Sequence, residues 1–153
     1  MQAINQSVPA VYSASKQSII PAHRGFNSWF IVSELSSGFY DRFSGIARLY
    51  GISALHNFAG SHIAVIGLGG VGSWAAEALA RSGIGSLTLF DLDDICISNT
   101  NRQLHTTTES IGKLKTDVMH ERLTMINPEC KVLTVTQFVT TKSLPLLEKD
   151  RFD

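Results

Sequence analysis

Between a short apolar run and an amphipathic stretch, the chain places four glycines in six residues, Gly67-Leu68-Gly69-Gly70-Val71-Gly72. The run before it, His62-Ile63-Ala64-Val65-Ile66, is apolar and β-branched and predicts a strand buried on both faces. After it, Val71, Ala75, Ala78 and Leu79 recur on one helical face, Glu77 and Arg81 predict an outward i, i+4 pair, and Gly83 predicts the stop. Ser86-Leu87-Thr88-Leu89-Phe90 then reads as a second strand ending at Asp91. Strand, glycine turn, helix and strand within about 30 residues make a right-handed βαβ unit with a parallel pair. Each glycine has a mechanical reason to lack a side chain. Gly67 makes the tight turn, Gly69 and Gly70 let backbone N–H groups approach a phosphate, and Gly72 allows close helix–strand packing. The helix N-terminus adds a partial positive charge.

The rest of the chain supports a Rossmann-like α/β fold with a parallel sheet. A polar loop follows from Asp93 to Thr108, then a helix from about Lys113 to Ile126 stopped by Asn127-Pro128, and a third strand over Lys131 to Thr136. Ser143 is positioned to cap a short last helix through Leu147. Before the first strand, Phe43, Ile46, Ala47, Leu49 and Tyr50 recur at helical spacing, with Gly51 ending or interrupting that segment. Residues 1–38 hold eight serines but only Lys16, Arg24 and Glu34 as charges, with Pro9 and Pro21, and are expected to be a poorly ordered extension. They are acid-poor like a transit peptide, yet lack its arginines. Residues 39–153 are the expected nucleotide-binding domain.

A length of 153 residues is one domain's worth and excludes a large two-domain enzyme. Basic and acidic residues number 13 each, so no overall basic field draws in nucleic acid. Cys96 and Cys130 lack C-x-x-C spacing, which predicts two small buried side chains, no disulfide framework, no zinc site and a reducing, cytoplasmic setting. No run of about 18 apolar residues is long enough to span a bilayer.

Asp91 stands 19 residues beyond Gly72, where an acidic side chain can accept hydrogen bonds from a ribose. To this point NAD and ATP fit equally. The loop adds Asp93, Asp94, Asn99, Arg102 and Lys115 near the carboxyl ends of the strands. A triphosphate needs more charge neutralised during attack than a dinucleotide's pyrophosphate, so the cations favour ATP. On spacing alone, a solvated surface pair explains Arg102 and Lys115 at least as well.

The runs RFSGIARLYG from Arg42, IAVIGLGGVGSWAAEALARSGIG from Ile63, DLDDICISNTNRQLH from Asp91 and INPECKV from Ile126 span nearly everything after the extension. On these residues the chain resembles the ubiquitin-activating (ThiF-type) adenylation superfamily, and within it most closely the tRNA threonylcarbamoyladenosine dehydratases. The resemblance implies ATP and Mg2+ as cofactors and a homodimer. It also implies a reaction in which a substrate carboxylate attacks the α-phosphorus, pyrophosphate leaves and an acyl-adenylate forms. In the dehydratases the carboxylate belongs to the threonyl group of the modified tRNA adenosine, and attack from within the same side chain closes a ring and releases AMP.

Carried over, the resemblance assigns Gly67, Gly69, Gly70 and Gly72 to the nucleotide turn, Asp91 to the ribose, and Asp93 to the nucleotide and magnesium. Asn99, Arg102, Gln103 and Lys115 line the phosphate path, with Arg102 and Lys115 countering the charge of the departing pyrophosphate. Arg48 or Arg42 reaches a partner subunit's nucleotide, although the sulfur-carrier branch has an arginine where this chain has Gly45, and a charged helix face explains both residues as well. For His105, a structural hydrogen bond and catalysis fit equally. The superfamily's fourth strand has no counterpart here, so the chain is expected to be a fragment with one wall of its site absent and the first strand's edge exposed. Alternatives are an activator of a ubiquitin-like or sulfur-carrier protein, and a nucleotide-binding or dimerisation module without chemistry. An NAD oxidoreductase fits least, because the doubled glycine and the Asn-Arg loop are unlike its fingerprint.

Overall fold

The computed structural model describes residues 34–141, 147, 152 and 153. In chain order they form helices α1 (Ser37–Tyr50) and α2 (Ile52–Gly60), strand β1 (His62–Ile66), helix α3 (Gly72–Arg81), strand β2 (Ser86–Phe90), a 3-10 turn (Ile97–Asn99), helix α4 (Lys115–Ile126) and strand β3 (Lys131–Val135). The three strands form one parallel sheet in the order β1-β2-β3, with His62 opposite Ser86 and Ser86 opposite Lys131. This is the expected α/β arrangement. The short last helix at Ser143, and residues 1–33 of the expected extension, lie outside the described residues.

β2 carries the core, because a neighbour on each side shields it. Leu87 and Leu89 are fully buried against Leu68, Ala76, Ala80, Met119 and Leu123. β1 departs from the expected two-sided burial, since only Val65 is buried and Ile66 is 56% exposed. Its far edge meets the end of the chain, where the Asp153 N–H donates to the His62 carbonyl at 3.0 Å and the Phe152 ring lies against His62. A second, smaller cluster of Phe39, Phe43 and Leu55 joins α1 to α2, hinged at Gly51 with φ +91°. α1 starts earlier than the apolar spacing indicated, because the Ser36 hydroxyl caps it by accepting from the Phe39 N–H at 3.0 Å. Leu49 and Tyr50 of its expected apolar stripe are exposed.

Three other expectations are corrected. The buried face of α3 is Ser73, Ala76, Glu77 and Ala80, whereas Val71 and Ala78 are exposed. Polar groups take the inner face because they find partners there. Glu77 is not an outward pair with Arg81 alone, for it lies nearly buried between Arg81 and Arg122 of α4. Burial by itself raises the Glu77 pKa, but hydrogen bonds from Arg122 and Arg81 and their charges outweigh it and leave the carboxyl below its ordinary value. Cys130 is buried, and burial pushes its thiol up to about 11, whereas Cys96 is exposed on the loop.

The glycine turn is held by close backbone approach. Gly67 has φ +84° and its N–H donates to the Phe90 carbonyl at 2.7 Å. A Cβ on Gly72 would stand 1.8 Å from the Gly67 carbonyl oxygen, so the turn closes only if position 72 has no side chain. A Cβ on Gly69 meets nothing within 4 Å. Gly72→Ala is therefore expected to lose about 3 kcal/mol or more of stability in urea denaturation. Gly69→Ala should stay within roughly 1 kcal/mol of the parent, and equal losses would contradict this account of the turn.

Candidate active site

A cavity of about 460 Å³ opens at the carboxyl ends of the strands. Ile66 and Phe90, the last residues of β1 and β2, and the segment Gln137–Val139 after β3 line one side. The glycine turn contributes Gly67, Gly69 and Gly70, the loop beyond β2 contributes Asp91, Asp93, Arg102 and Gln103, and the first residue of α4 contributes Lys115.

Asp91 is the joint between these parts. Its Oδ2 accepts from the Leu68 N–H at 2.6 Å and its Oδ1 from the Asp93 N–H at 2.8 Å, with the side chain only 8% exposed. Each oxygen keeps a second lone pair, so a hydroxyl donor in the cavity can still be accepted. Lys115 is brought in by a short antiparallel bridge, Asp94 to Leu114, and by its own N–H donating to the Asp93 carbonyl at 3.1 Å. Its ammonium lies 2.8 Å from Asp93 Oδ2 and 3.9 Å from Asp91 Oδ1, with the side chain 6% exposed. A solvated surface cation does not describe it.

Arg102 lies over the turn, its aliphatic stem within 3.1 to 3.4 Å of where a Gly70 Cβ would be. Its guanidinium donates to the Ser98 carbonyl at 3.2 Å and to Asn101 Oδ1 at 2.9 Å. Asn99 does not line the cavity. Its Oδ1 accepts from the Cys96 N–H at 3.0 Å, and its carbonyl accepts from the N–H groups of Arg102 and Gln103, so it shapes the loop that presents them. Gly72 sits behind the turn, and Arg42 and Arg48 are exposed on α1 without lining the cavity. Gln103 does line it. The residue is buried, and its Oε1 has no hydrogen-bond partner among the described residues.

His105 lies just beyond Gln103, buried, with neither ring nitrogen partnered among the described residues. The structural hydrogen bond that one account of this residue required is therefore not made within the described chain. Burial, then the charge of Lys115, lowers its pKa to about 4, although Asp91 partly opposes them. The imidazole is neutral at pH 7. Sequence reasoning missed Ile66, Phe90 and Gln137–Val139. The signal available was that side chains at the ends of parallel strands face the crevice of such a sheet.

The turn brings the positive dipole end of α3 to the cavity, although the N–H groups of Ser73 and Ala75 in its first turn already donate to the Gly69 and Val71 carbonyls. Two cations and two carboxylates converge on the same space. Glycine turn, acidic strand tip and cationic loop at one end of a parallel sheet define an α/β domain of the Rossmann type. The chain belongs to the ThiF family, whose model matches residues 40–152. It is 58% identical over 106 residues to the tRNA threonylcarbamoyladenosine dehydratase of Escherichia coli K12, an alignment covering 69% of this chain and 40% of that protein. The crystal structure of the E. coli dehydratase in complex with ATP superposes with a TM-score of 0.75 at 52% identity, covering 76% of this chain and 48% of that one. The sulfur carrier protein ThiS adenylyltransferase of E. coli K12 is 43% identical over 84 residues, 55% of this chain and 34% of its own length. The chain thus spans about 40% of the length of the dehydratase relative.

The His105 environment has a consequence for stability. A histidine whose folded pKa is about 4 against an ordinary 6.5 stabilises the neutral folded state fully above pH 6.5. That contribution is lost as pH falls from 6.5 towards 4, because the unfolded chain takes up the proton first. Between pH 7 and pH 5 the loss is expected to be about 2 kcal/mol. Urea titrations at the two pH values should show it in the parent and a clearly flatter dependence in His105→Asn, and parallel dependences would refute the assignment.

Proposed function

We propose that this chain is part of an ATP-dependent carboxylate-adenylating enzyme acting on threonylcarbamoyladenosine in tRNA. One observation carries the reading: Lys115, nearly buried, shares the cavity with Arg102 and the glycine turn at the carboxyl ends of the strands. The greater identity to the dehydratase than to the ThiS adenylyltransferase supports tRNA over a carrier protein as substrate.

In this reading the N–H groups of Gly69 and Gly70 donate to phosphate oxygens, the Gly67 N–H being held by the Phe90 carbonyl, and Asp91 accepts from a ribose hydroxyl. Gln103 lines the same space, and its Oε1 is a buried acceptor without a partner among the described residues. The substrate carboxylate attacks the α-phosphorus, the bond to the bridging oxygen breaks, and pyrophosphate carries away the electron pair. Arg102 and Lys115 offset the charge that develops on it, and a second attack from within the substrate side chain releases AMP. Lys115 must exchange Asp93 for phosphate on binding, which frees a carboxylate.

Among the described residues no group of three or more acidic, histidine or cysteine side chains could hold a metal alone. Asp93, with its side chain 55% exposed, suits an ion shared with the nucleotide's own phosphates. Mg2+ bound there would neutralise phosphate charge. Arg48, exposed on α1, is available to a second copy of the chain in a homodimer. No helix among the described residues is long and apolar enough to cross a membrane, and the reading places the protein in the cytoplasm.

Pyrophosphate exchange into ATP tests the proposal. Exchange dependent on threonylcarbamoyladenosine-modified tRNA is expected, and Lys115→Met should reduce it by about 100-fold or more. Exchange only with a carrier protein would favour the second substrate class, and exchange with neither would leave a binding module.

A further inference from the structure

α3 reaches across to the Arg102 loop with two consecutive side chains. Ser73, fully buried, donates from its hydroxyl to the Gly69 carbonyl at 2.7 Å and accepts from the Leu104 N–H at 3.3 Å. Trp74 is different, for its ring is on the surface and 55% exposed. An indole in that position gains little from burial. Its one polar atom is nonetheless committed, since Nε1–H donates to the Arg102 carbonyl at 3.0 Å.

Arg102 is thereby held along its length. Asn99 takes its N–H and Trp74 its carbonyl, Gly70 receives its stem, and Ser98 and Asn101 hold its guanidinium. Only the Trp74 bond comes from the helix that begins at the glycine turn. We infer that Trp74 is a positioning residue that locks Arg102 over the glycine turn so that its guanidinium serves the outer phosphates of a bound nucleoside triphosphate. The inference rests on the proposed function and deepens it. Ser73 ties the turn to the loop from inside, and Trp74 does so from outside, where substitution leaves the core intact.

Trp74→Phe keeps a ring and removes the donor. By calorimetry on the chain as it stands, ATP should bind about 3- to 10-fold more weakly to Trp74→Phe. AMP, which lacks the outer phosphates, should bind within about 2-fold of the parent, a split that a general loosening of the fold would not produce. With Arg102→Ala already present, Trp74→Phe should change ATP affinity by less than about 2-fold. Equal losses for ATP and AMP, an unchanged ATP affinity, or a full loss in the Arg102→Ala background would each overturn the inference. If the parent binds neither nucleotide, the proposed function falls instead, and amide exchange decides the positioning. Faster exchange across 99–104 in Trp74→Phe would sustain it, and unchanged exchange would refute it.

Discussion

A single carboxylate aligns the walls of the cavity. Asp91, at the tip of β2, accepts one N–H from the glycine turn and one from its own loop, and Lys115 stands within ion-pair distance. Burying a carboxylate is costly unless donors surround it. The donors here come from opposite sides, so satisfying the charge is also what brings turn and loop together. Loss of that carboxylate would leave two N–H groups without partners at the point where the cavity is shaped.

Around that joint the charges are arranged unevenly. Lys115 and Arg102 converge on the space in front of Gly69 and Gly70, while Asp93 restrains Lys115. An ion pair with one partner half-exposed is a weak source of stability. On the proposed function the pair holds a cation in place for an incoming phosphate, with the neutral His105 adding no charge to those of Lys115 and Arg102. ThiF-family membership and the likeness to an ATP-bound dehydratase agree with that polarity.

Much of this was legible in the chain itself. The alternation of strand, glycine turn, helix and strand produced the parallel β1–β2 pair, and Gly67, expected to make the tight turn, does so with a positive φ. Other positions were not legible, because apolarity is a poor guide where polar partners lie inside. The α3 face was misjudged since Ser73 and Glu77 are buried with partners, whereas Val71 is not. β1 was expected to be covered on both faces because its run is apolar and β-branched, yet only Val65 is buried and, among the strands described, only β2 has a neighbour on each side. The cavity residues Gln137–Val139 gave no pattern of their own, for they belong to the site only by following a strand's end.

Local order sufficed for the backbone motif, since a turn in which position 72 must lack a Cβ and position 67 must take a positive φ is specified by glycine alone. Packing between distant segments decided the chemistry. Whether Lys115 is a solvated cation or a buried one depends on Asp93, 22 residues away, and the setting of Arg102 depends on Trp74, 28 residues away. Such partners have no spacing rule, because they meet only once the sheet has brought its strand ends to one side.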